Sequence, residues 1–167
     1  MSDTLTRDEK IQKVREIIKD IDFGMLTTIA ADGSLHSRPM STNKHVEFDG
    51  DLWFFTKASS LKVDEAQTHH QVNVSFTQPK DSRYVSVSGT AELVRDKGKI
   101  AELWEPELKA WFTEGLDDPD LALLKVNAKV AEFWEGPSGL MAHAVGLVKA
   151  VATGTPYDGG ENGSVEF

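Results

Sequence analysis

The spacing of hydrophobic residues changes several times along the chain, and each change predicts a different element. Residues 1–22 contain a capping-box sequence, Thr6 followed by Glu9, ahead of apolar residues at helical intervals, so they predict an N-terminal helix that packs across a sheet. These apolar residues are Ile11, Val14, Ile17, Ile18 and Ile21. From Gly24 the alternation has a period of two, and Asp32-Gly33 predicts a hairpin with a two-residue turn.

The middle of the chain continues the strand pattern. A second Asp-Gly, at residues 49–50, separates segment 44–48 from segment 51–57, which predicts four successive strands in an antiparallel meander. "SSLKVDEAQ" predicts a short helix with Ser60 as its N-cap. "QVNVSFTQ" and "RYVSVSGTAELV" predict two further strands, and Gly89 within the second indicates a bulge or a close backbone approach.

The last third mixes element types. Residues 96–112 have a broad apolar helical face that Pro106 interrupts mildly, and residues 121–136 include another strand. The small-residue stretch 139–154 predicts a core helix, and the Gly-rich residues 154–167 predict a polar surface tail or a covering arm. About six short strands at close intervals favour one α+β, mainly β domain over residues 1–167, a small antiparallel barrel with flanking helices.

Composition narrows the classes of partner. The 27 acidic and 18 basic residues give a net charge of −9, which opposes binding to nucleic acid and to anionic membrane surfaces. The chain has no cysteine, which excludes disulfides and thiolate metal sites. The charged N-terminus has no apolar stretch of the signal-peptide kind, so the expected location is cytoplasmic.

Cations and hydroxyls gather at two predicted strand ends. Arg38 precedes a proline at the end of one strand, and "TKASSLK" follows another. If these ends are adjacent, Arg38 and Lys62 can grip one phosphate, with Ser59, Ser60 and helix N-terminal amides adding hydrogen bonds. The alternative is a solvated charged rim.

Two other candidate sites have ordinary explanations. Trp104, Trp111, Trp134 and Phe112 could stack on a planar ligand, although such residues more often belong to the core. Adjacent residues on a helix, such as His69 and His70, point in different directions, and no Asp or Glu lies at ligand spacing within a clear motif, so no metal site is expected.

Several blocks in order and spacing resemble the general stress protein branch of the pyridoxamine 5'-phosphate oxidase-like flavoproteins. These blocks are "TTIAADGSLHSRPM", "LWFFTKASSLKVDE", "YVSVSGTAELVRD", "ELWEPELKAWF" and "DDPDLALLKV". The resemblance implies a Greek-key-like split β-barrel that binds flavin mononucleotide (FMN). It also implies a homodimer with the flavin in a cleft between subunits.

The resemblance also implies roles for particular residues. Arg38, Ser60 and Lys62 would hold the flavin phosphate, with Ser59 beside them in the same turn. Pro39, Met40, Phe55 and Thr56 would line the isoalloxazine ring. A separate hypothesis concerns Lys57: if it is directed at the pyrimidine edge, its positive charge would favour the anionic reduced flavin. On position and aromaticity alone, Trp104 or Trp111 is the candidate for covering the flavin from the second subunit.

One departure from the family pattern concerns the reaction. The late arginine-and-histidine motif that holds the substrate phosphate in a true pyridoxamine phosphate oxidase has no counterpart here, because no arginine follows Arg95. Three hypotheses follow: a redox flavoprotein reduced by a nicotinamide cofactor or small reductant, a module that stores or senses flavin, and a flavin-free barrel. The flavin adenine dinucleotide (FAD) would fit if the cleft is open beyond the phosphate.

Overall fold

The computed structural model describes residues 4–43, 46–137, 140–157 and 159–167. Its helices are α1 (Arg7–Lys19), α2 (Leu61–Thr68), α3 (Lys97–Leu103) and α4 (Leu140–Thr153). Its strands are β1 (Phe23–Ile29), β2 (Leu35–Ser41), β3 (Asp51–Lys57), β4 (Gln71–Gln78), β5 (Arg83–Val94), β6 (Leu121–Glu135) and β7 (Glu161–Glu166). The predicted mainly β architecture with flanking helices is confirmed. None of the helices in these ranges is long and apolar enough to cross a bilayer.

The seven strands form one antiparallel sheet that curls into a split barrel. The order of hydrogen-bonded neighbours is β2-β1-β4-β5-β6-β3, and β7 joins β6 on the same edge as β3. The curl brings the two end strands, β2 and β3, near each other, and the sheet order gives them no hydrogen-bonded pairing. This seam is the split in the barrel.

The predicted meander is wrong. Strand β3 pairs with β6, in a register that joins Asp51 to Asn127 and Lys57 to Leu121, instead of following β2 in the sheet. Within the predicted strand 44–48, residues 46–48 are irregular, and residues 44–45 lie outside the described ranges. Local turn signals misled the prediction because the strand partner lies far away in sequence.

The first hairpin is confirmed, with a longer turn than predicted. The Ala30 N–H donates to the Ser34 carbonyl at 2.8 Å, which leaves three residues in the turn, and Gly33 has φ 85°. A three-residue turn of this kind needs a left-handed residue at its end, and glycine adopts that conformation without steric cost.

Helix α1 packs across the sheet as expected, and its capping box is formed. The Thr6 side chain accepts from the Glu9 amide, while the Glu9 carboxylate accepts from the Thr6 amide at 2.7 Å. Val14, Ile17 and Ile18 are buried in the main core with the inward side chains of the strands. A second apolar cluster lies under α3, with Ile100, Leu103, Phe112, Leu121 and Leu123. The apolar start of β6 is therefore buried on both faces.

Pro106 interrupts the helical segment more strongly than predicted. Helix α3 ends at Leu103, Trp104 and Glu105 are extended, and Pro106–Ala110 forms a separate 3-10 turn. The residue before a proline is disfavoured in the helical region, which explains the break. The break directs Trp104 and Trp111 to different places.

The predicted core helix and polar tail are both corrected. Helix α4 presents Val145, Leu147, Val148 and Val151 to solvent. On its other side, His143 lies 2.7 Å from the Ser82 hydroxyl and 2.8 Å from the Tyr157 hydroxyl. Within residues 154–167, β7 pairs with β6 and buries Val165, so this part is a sheet strand and not a tail.

Gly89 is the close approach expected from the sequence. The β5–β6 register shifts between Ser88 and Gly89, and a Cβ added at Gly89 would lie 2.1 Å from the Asn127 carbonyl oxygen.

We expect Gly89→Ala to lower the free energy of unfolding by about 2–3 kcal/mol, because the backbone of β6 must move to admit a methyl group. Urea unfolding measures this change. Gly98→Ala, in α3, is the matched control and should change stability by less than about 1 kcal/mol. Equal effects of the two substitutions would contradict the close-approach explanation.

Candidate functional site

A cleft of about 450 Å³ lies at the seam between β2 and β3. The end of β2 and the residues after it form one wall, β3 forms the opposite wall, and the segment after α3 closes one side. The lining residues are Phe23, Pro39, Met40, Ser41, Thr42, Asn43, Trp53, Phe55, Thr56, Lys57, Lys62, Glu105, Leu108, Trp111 and Phe112. Pockets of this volume accommodate small-molecule ligands and cofactors.

The first wall can exist because β2 is an edge strand. Pro39 pairs with Met25 of β1 on one side and has no strand partner on the other, a position where a proline costs no ladder hydrogen bond. Met40 is buried against the main core. The backbone beyond Arg38 therefore runs along the cleft as an extended apolar edge.

The opposite wall is aromatic. Trp53 and Phe55 alternate with the core-facing Leu52 and Phe54 along β3, so they point to the second apolar cluster and the cleft. Phe55 packs edge-on against Trp104, with ring centroids 5.8 Å apart, and is tilted against Phe112 at 6.5 Å. These ring contacts support the Phe55 side of the cleft.

The two candidate tryptophans lie in different places. Trp111 lines the cleft and is 59% exposed. Trp104 supports Phe55 from behind and is not part of the cleft lining. Trp111 is therefore the tryptophan of the two that can contact a ligand in the cleft.

Lys62, at the start of α2, supplies a positive charge at one end of the cleft. It is half-buried, and it has no hydrogen bond or ion pair with the rest of the described chain. Burial, and then repulsion from Arg38, lower the pKa of Lys62. An anion bound beside the ammonium group would offset both effects, because an opposite charge favours the charged form of the lysine.

Arg38 lies near Lys62 but outside the cleft lining. Its guanidinium donates one hydrogen bond to the Thr28 hydroxyl and another to Glu65 Oε2 at 2.9 Å. Strand alternation places His36, Arg38 and Met40 on the same side of β2, the side that faces α2 and the core. The cation predicted from the sequence is thus already held by protein groups.

Glu65, on α2, is a buried carboxylate that sequence reasoning missed. Its side chain is 5% exposed and accepts hydrogen bonds from Thr28, from Arg38 and from His36 Nδ1 at 2.7 Å. The hydrogen bond from Thr28 leads these contacts in holding the pKa of Glu65 below its usual range, in spite of burial. Glu65 lies between the apolar residues Val63 and Ala66 on the buried face of α2, and this position was the signal in the sequence that it could be buried.

The hydroxyl groups of the "TKASSLK" turn have separate environments. The buried Thr56 hydroxyl lies 3.4 Å from the Ser60 hydroxyl, and the Ser60 side chain makes no capping bond to α2. Within the described chain, the amides of Leu61 and Lys62 have no hydrogen-bond partner. These groups remain available to a ligand at the Lys62 end.

Ser59 turns away from the cleft. Its hydroxyl donates to Asp120 Oδ2 at 2.6 Å and its amide donates to Asp120 Oδ1 at 2.9 Å. The hydroxyl bond from Ser59 is the main reason why the pKa of Asp120 is lowered. Ser59 thus anchors the turn to the loop before β6.

The structure therefore divides the residues singled out from the sequence into two sets. One set lines the cleft: Pro39, Met40, Phe55, Thr56, Lys57, Lys62 and Trp111. The other lies around it: Arg38, Ser59, Ser60 and Trp104. No group of three or more His, Cys, Asp or Glu side chains suited to a metal ion occurs among the residues with described positions.

The chain belongs to the pyridoxamine 5'-phosphate oxidase-like family, whose sequence model matches residues 9–158. Among curated proteins, it is 28% identical to protein bli-3 of Neurospora crassa in an alignment 158 positions long that covers 89% of this chain and 76% of bli-3.

Two solved structures extend the comparison. The general stress FMN/FAD binding protein from Xanthomonas citri is 30% identical with a TM-score of 0.68, and the match covers 80% of this chain and 93% of that one. A putative general stress protein 26 from Jannaschia sp. is 24% identical with a TM-score of 0.75, and the match covers 96% of this chain and 99% of that one. This second match supports the assignment of the fold. The resemblance to the general stress branch is confirmed.

The lowered pKa of Glu65 makes stability depend on acid pH. Below the unfolded pKa of about 4.3, the unfolded chain protonates this carboxylate while the folded chain keeps it ionised. The contribution of Glu65 to the free energy of unfolding is therefore fully present above that pKa, and it is lost as the pH falls through the lower pKa of the folded state. We expect the free energy of unfolding to fall more steeply below about pH 4.3 in the wild type than in Glu65→Gln.

Urea unfolding across the acid range measures this difference. Asp64→Asn, on the exposed face of the same helix, controls for the loss of one carboxylate from α2. If the pH profiles of wild type and Glu65→Gln run parallel, the ionised state of Glu65 does not contribute to stability.

Proposed function

We propose that this protein binds FMN in the cleft, with the phosphate at Lys62 and Arg38 and the ring along the aromatic wall. The observation that carries this proposal is the position of Lys62, which lines the cleft and has no protein partner in the described ranges. Burial and the charge of Arg38 lower the pKa of Lys62. A phosphate monoester supplies the missing negative charge. Membership of the family, and the flavin-binding relative from Xanthomonas citri, support the choice of ligand.

The shape and chemistry of the cleft fit a flavin. Phe55 and Trp111 offer apolar surface for a planar ring, and the extended edge at Pro39 and Met40 can run beside it. The amides at the start of α2 and the Ser60 hydroxyl lie at the phosphate end. FAD shares the flavin and the first phosphate, so it uses the same contacts if its adenosine half extends into solvent.

The bound flavin would accept and release electrons, while the chain positions it and shields it from water. Lys57 lines the cleft, where its positive charge would face the pyrimidine edge of the ring. Because no arginine follows Arg95, this chain lacks the late phosphate-binding motif of a true pyridoxamine phosphate oxidase, so a different substrate is proposed.

The functional unit in this proposal is a homodimer. Tyr84 and Trp134 are cross-strand partners on the solvent face of the sheet, and Phe23, at the cleft, is exposed on the same face. A second copy packed on this aromatic row would bury it and would help to enclose the exposed Trp111. Sedimentation equilibrium tests this arrangement, and the mass of one chain at all concentrations would contradict it.

Replacing Lys62 by Gln should weaken FMN binding about tenfold to a hundredfold, because a charged hydrogen bond to phosphate contributes roughly 1.5–3 kcal/mol. Riboflavin, which has the same ring and no phosphate, should bind wild type and Lys62→Gln equally. Fluorescence titration with both ligands measures the two affinities.

The exposed Lys80, which follows β4, provides the matched control Lys80→Gln, which should bind FMN as the wild type does. If Lys62→Gln loses riboflavin and FMN equally, the lysine does not contact the phosphate. If the wild type binds neither ligand, the proposed function is wrong.

The second candidate function is a module that stores or senses flavin without turnover. We expect instead that the protein with bound FMN oxidises a reduced nicotinamide cofactor at least about tenfold faster than the same concentration of free FMN, since binding can hold the donor next to the ring. Stopped-flow absorbance under limiting oxygen measures this rate. A rate equal to that of free FMN would favour storage or sensing.

A further inference from the structure

Glu65 joins the three elements that surround the proposed phosphate site. It lies on α2, one helical turn after Lys62, so both side chains project from the same face of the helix. Its carboxylate accepts from Thr28 on β1 and from His36 and Arg38 on β2. One buried side chain therefore fixes the helix that carries one cation against the strand that carries the other.

We propose that Glu65 is a positioning residue for phosphate binding, which holds Arg38 beside Lys62 in an orientation that can accept the phosphate of the ligand. This inference rests on the proposed function. Without Glu65, no carboxylate in contact with Arg38 would offset the repulsion between the two positive groups, and the long Arg38 side chain could turn to solvent at the edge strand.

The tether leaves Arg38 able to bind an anion. A guanidinium has five N–H donors, and the contacts with Thr28 and Glu65 account for two of them. The remaining three donors are sufficient for a two-point contact with a phosphate. Arg38 can therefore bind ligand without leaving Glu65.

The negative charge of Glu65 would also repel a phosphate, and this repulsion opposes its positioning effect on Arg38. Both carboxylate oxygens are occupied, Oε1 by His36 and Oε2 by Thr28 and Arg38. Hydrogen bonds to the ionised form stabilise this charge inside the cluster. Loss of orientation at Arg38 should then outweigh the gain in net positive charge, so removing Glu65 weakens phosphate binding.

The test measures the ratio of FMN affinity to riboflavin affinity. Because the two ligands differ only in the phosphate, this ratio reports the contribution of the phosphate to binding. Glu65→Gln keeps the shape of the side chain and one acceptor oxygen, and it should reduce the ratio about five- to tenfold while riboflavin affinity stays within twofold. Thr28→Val removes the hydroxyl that accepts the other hydrogen bond from Arg38, without opening a cavity, and it should also reduce the ratio. Asp64→Asn, exposed on the same helix, should leave it unchanged.

A double-mutant cycle separates positioning from general damage to the fold. In the Arg38→Gln background, adding Glu65→Gln should change the ratio less than twofold, because the residue through which Glu65 acts is absent. Equal effects of Glu65→Gln with and without Arg38, or an unchanged or increased ratio in Glu65→Gln alone, would overturn the inference while leaving the flavin site intact. A wild type that binds FMN no better than riboflavin would overturn both the phosphate site and this inference.

Discussion

The pairing of β6 with three other strands is the constraint on which the rest of the structure depends. One edge of β6 carries β5 along nearly its whole length, and the other carries β3 at its start and β7 at its end. Because β3 is held there, the curl of the sheet returns it to β2 and creates the seam. The buried residues 121–124 support the main core on one side and the aromatic wall of the cleft on the other.

The cleft combines an apolar wall with a compact group of charges at one end. In a chain with net charge −9, an anion is attracted only where cations are concentrated and shielded from the surrounding carboxylates. Lys62 and Arg38 concentrate positive charge locally, and the Glu65 carboxylate, on the same face of α2 as Lys62, is buried and hydrogen-bonded by Thr28, His36 and Arg38. Overall charge and local charge therefore differ in sign, and the proposed phosphate site depends on the local charge.

Local features of this fold could be read from the sequence, while features that depend on distant partners could not. The Thr6–Glu9 cap and the hairpin at Gly33 follow from residues within a few positions. Gly89 indicated a close approach, but its partner, Asn127 on β6, could not be identified from the sequence. The pairing of β3 with β6 was missed because turn signals do not specify non-local partners. The hydrophobicity of α4 likewise suggested that the helix is buried. In the described chain, however, its outer side is exposed to solvent.

The same distinction limits what the sequence says about the site. Cations, hydroxyls and aromatic residues could be identified, but not whether Ser59 faces the cleft or Asp120, nor that a glutamate on α2 would hold Arg38.

The β3–β6 register also has a kinetic meaning. It joins residues 51–57 to residues 121–127, so forming it closes a long loop, and such contacts tend to appear late in folding. The cleft is then among the last parts of the molecule to assemble, and substitutions in its β3 wall should mainly affect the rate of unfolding.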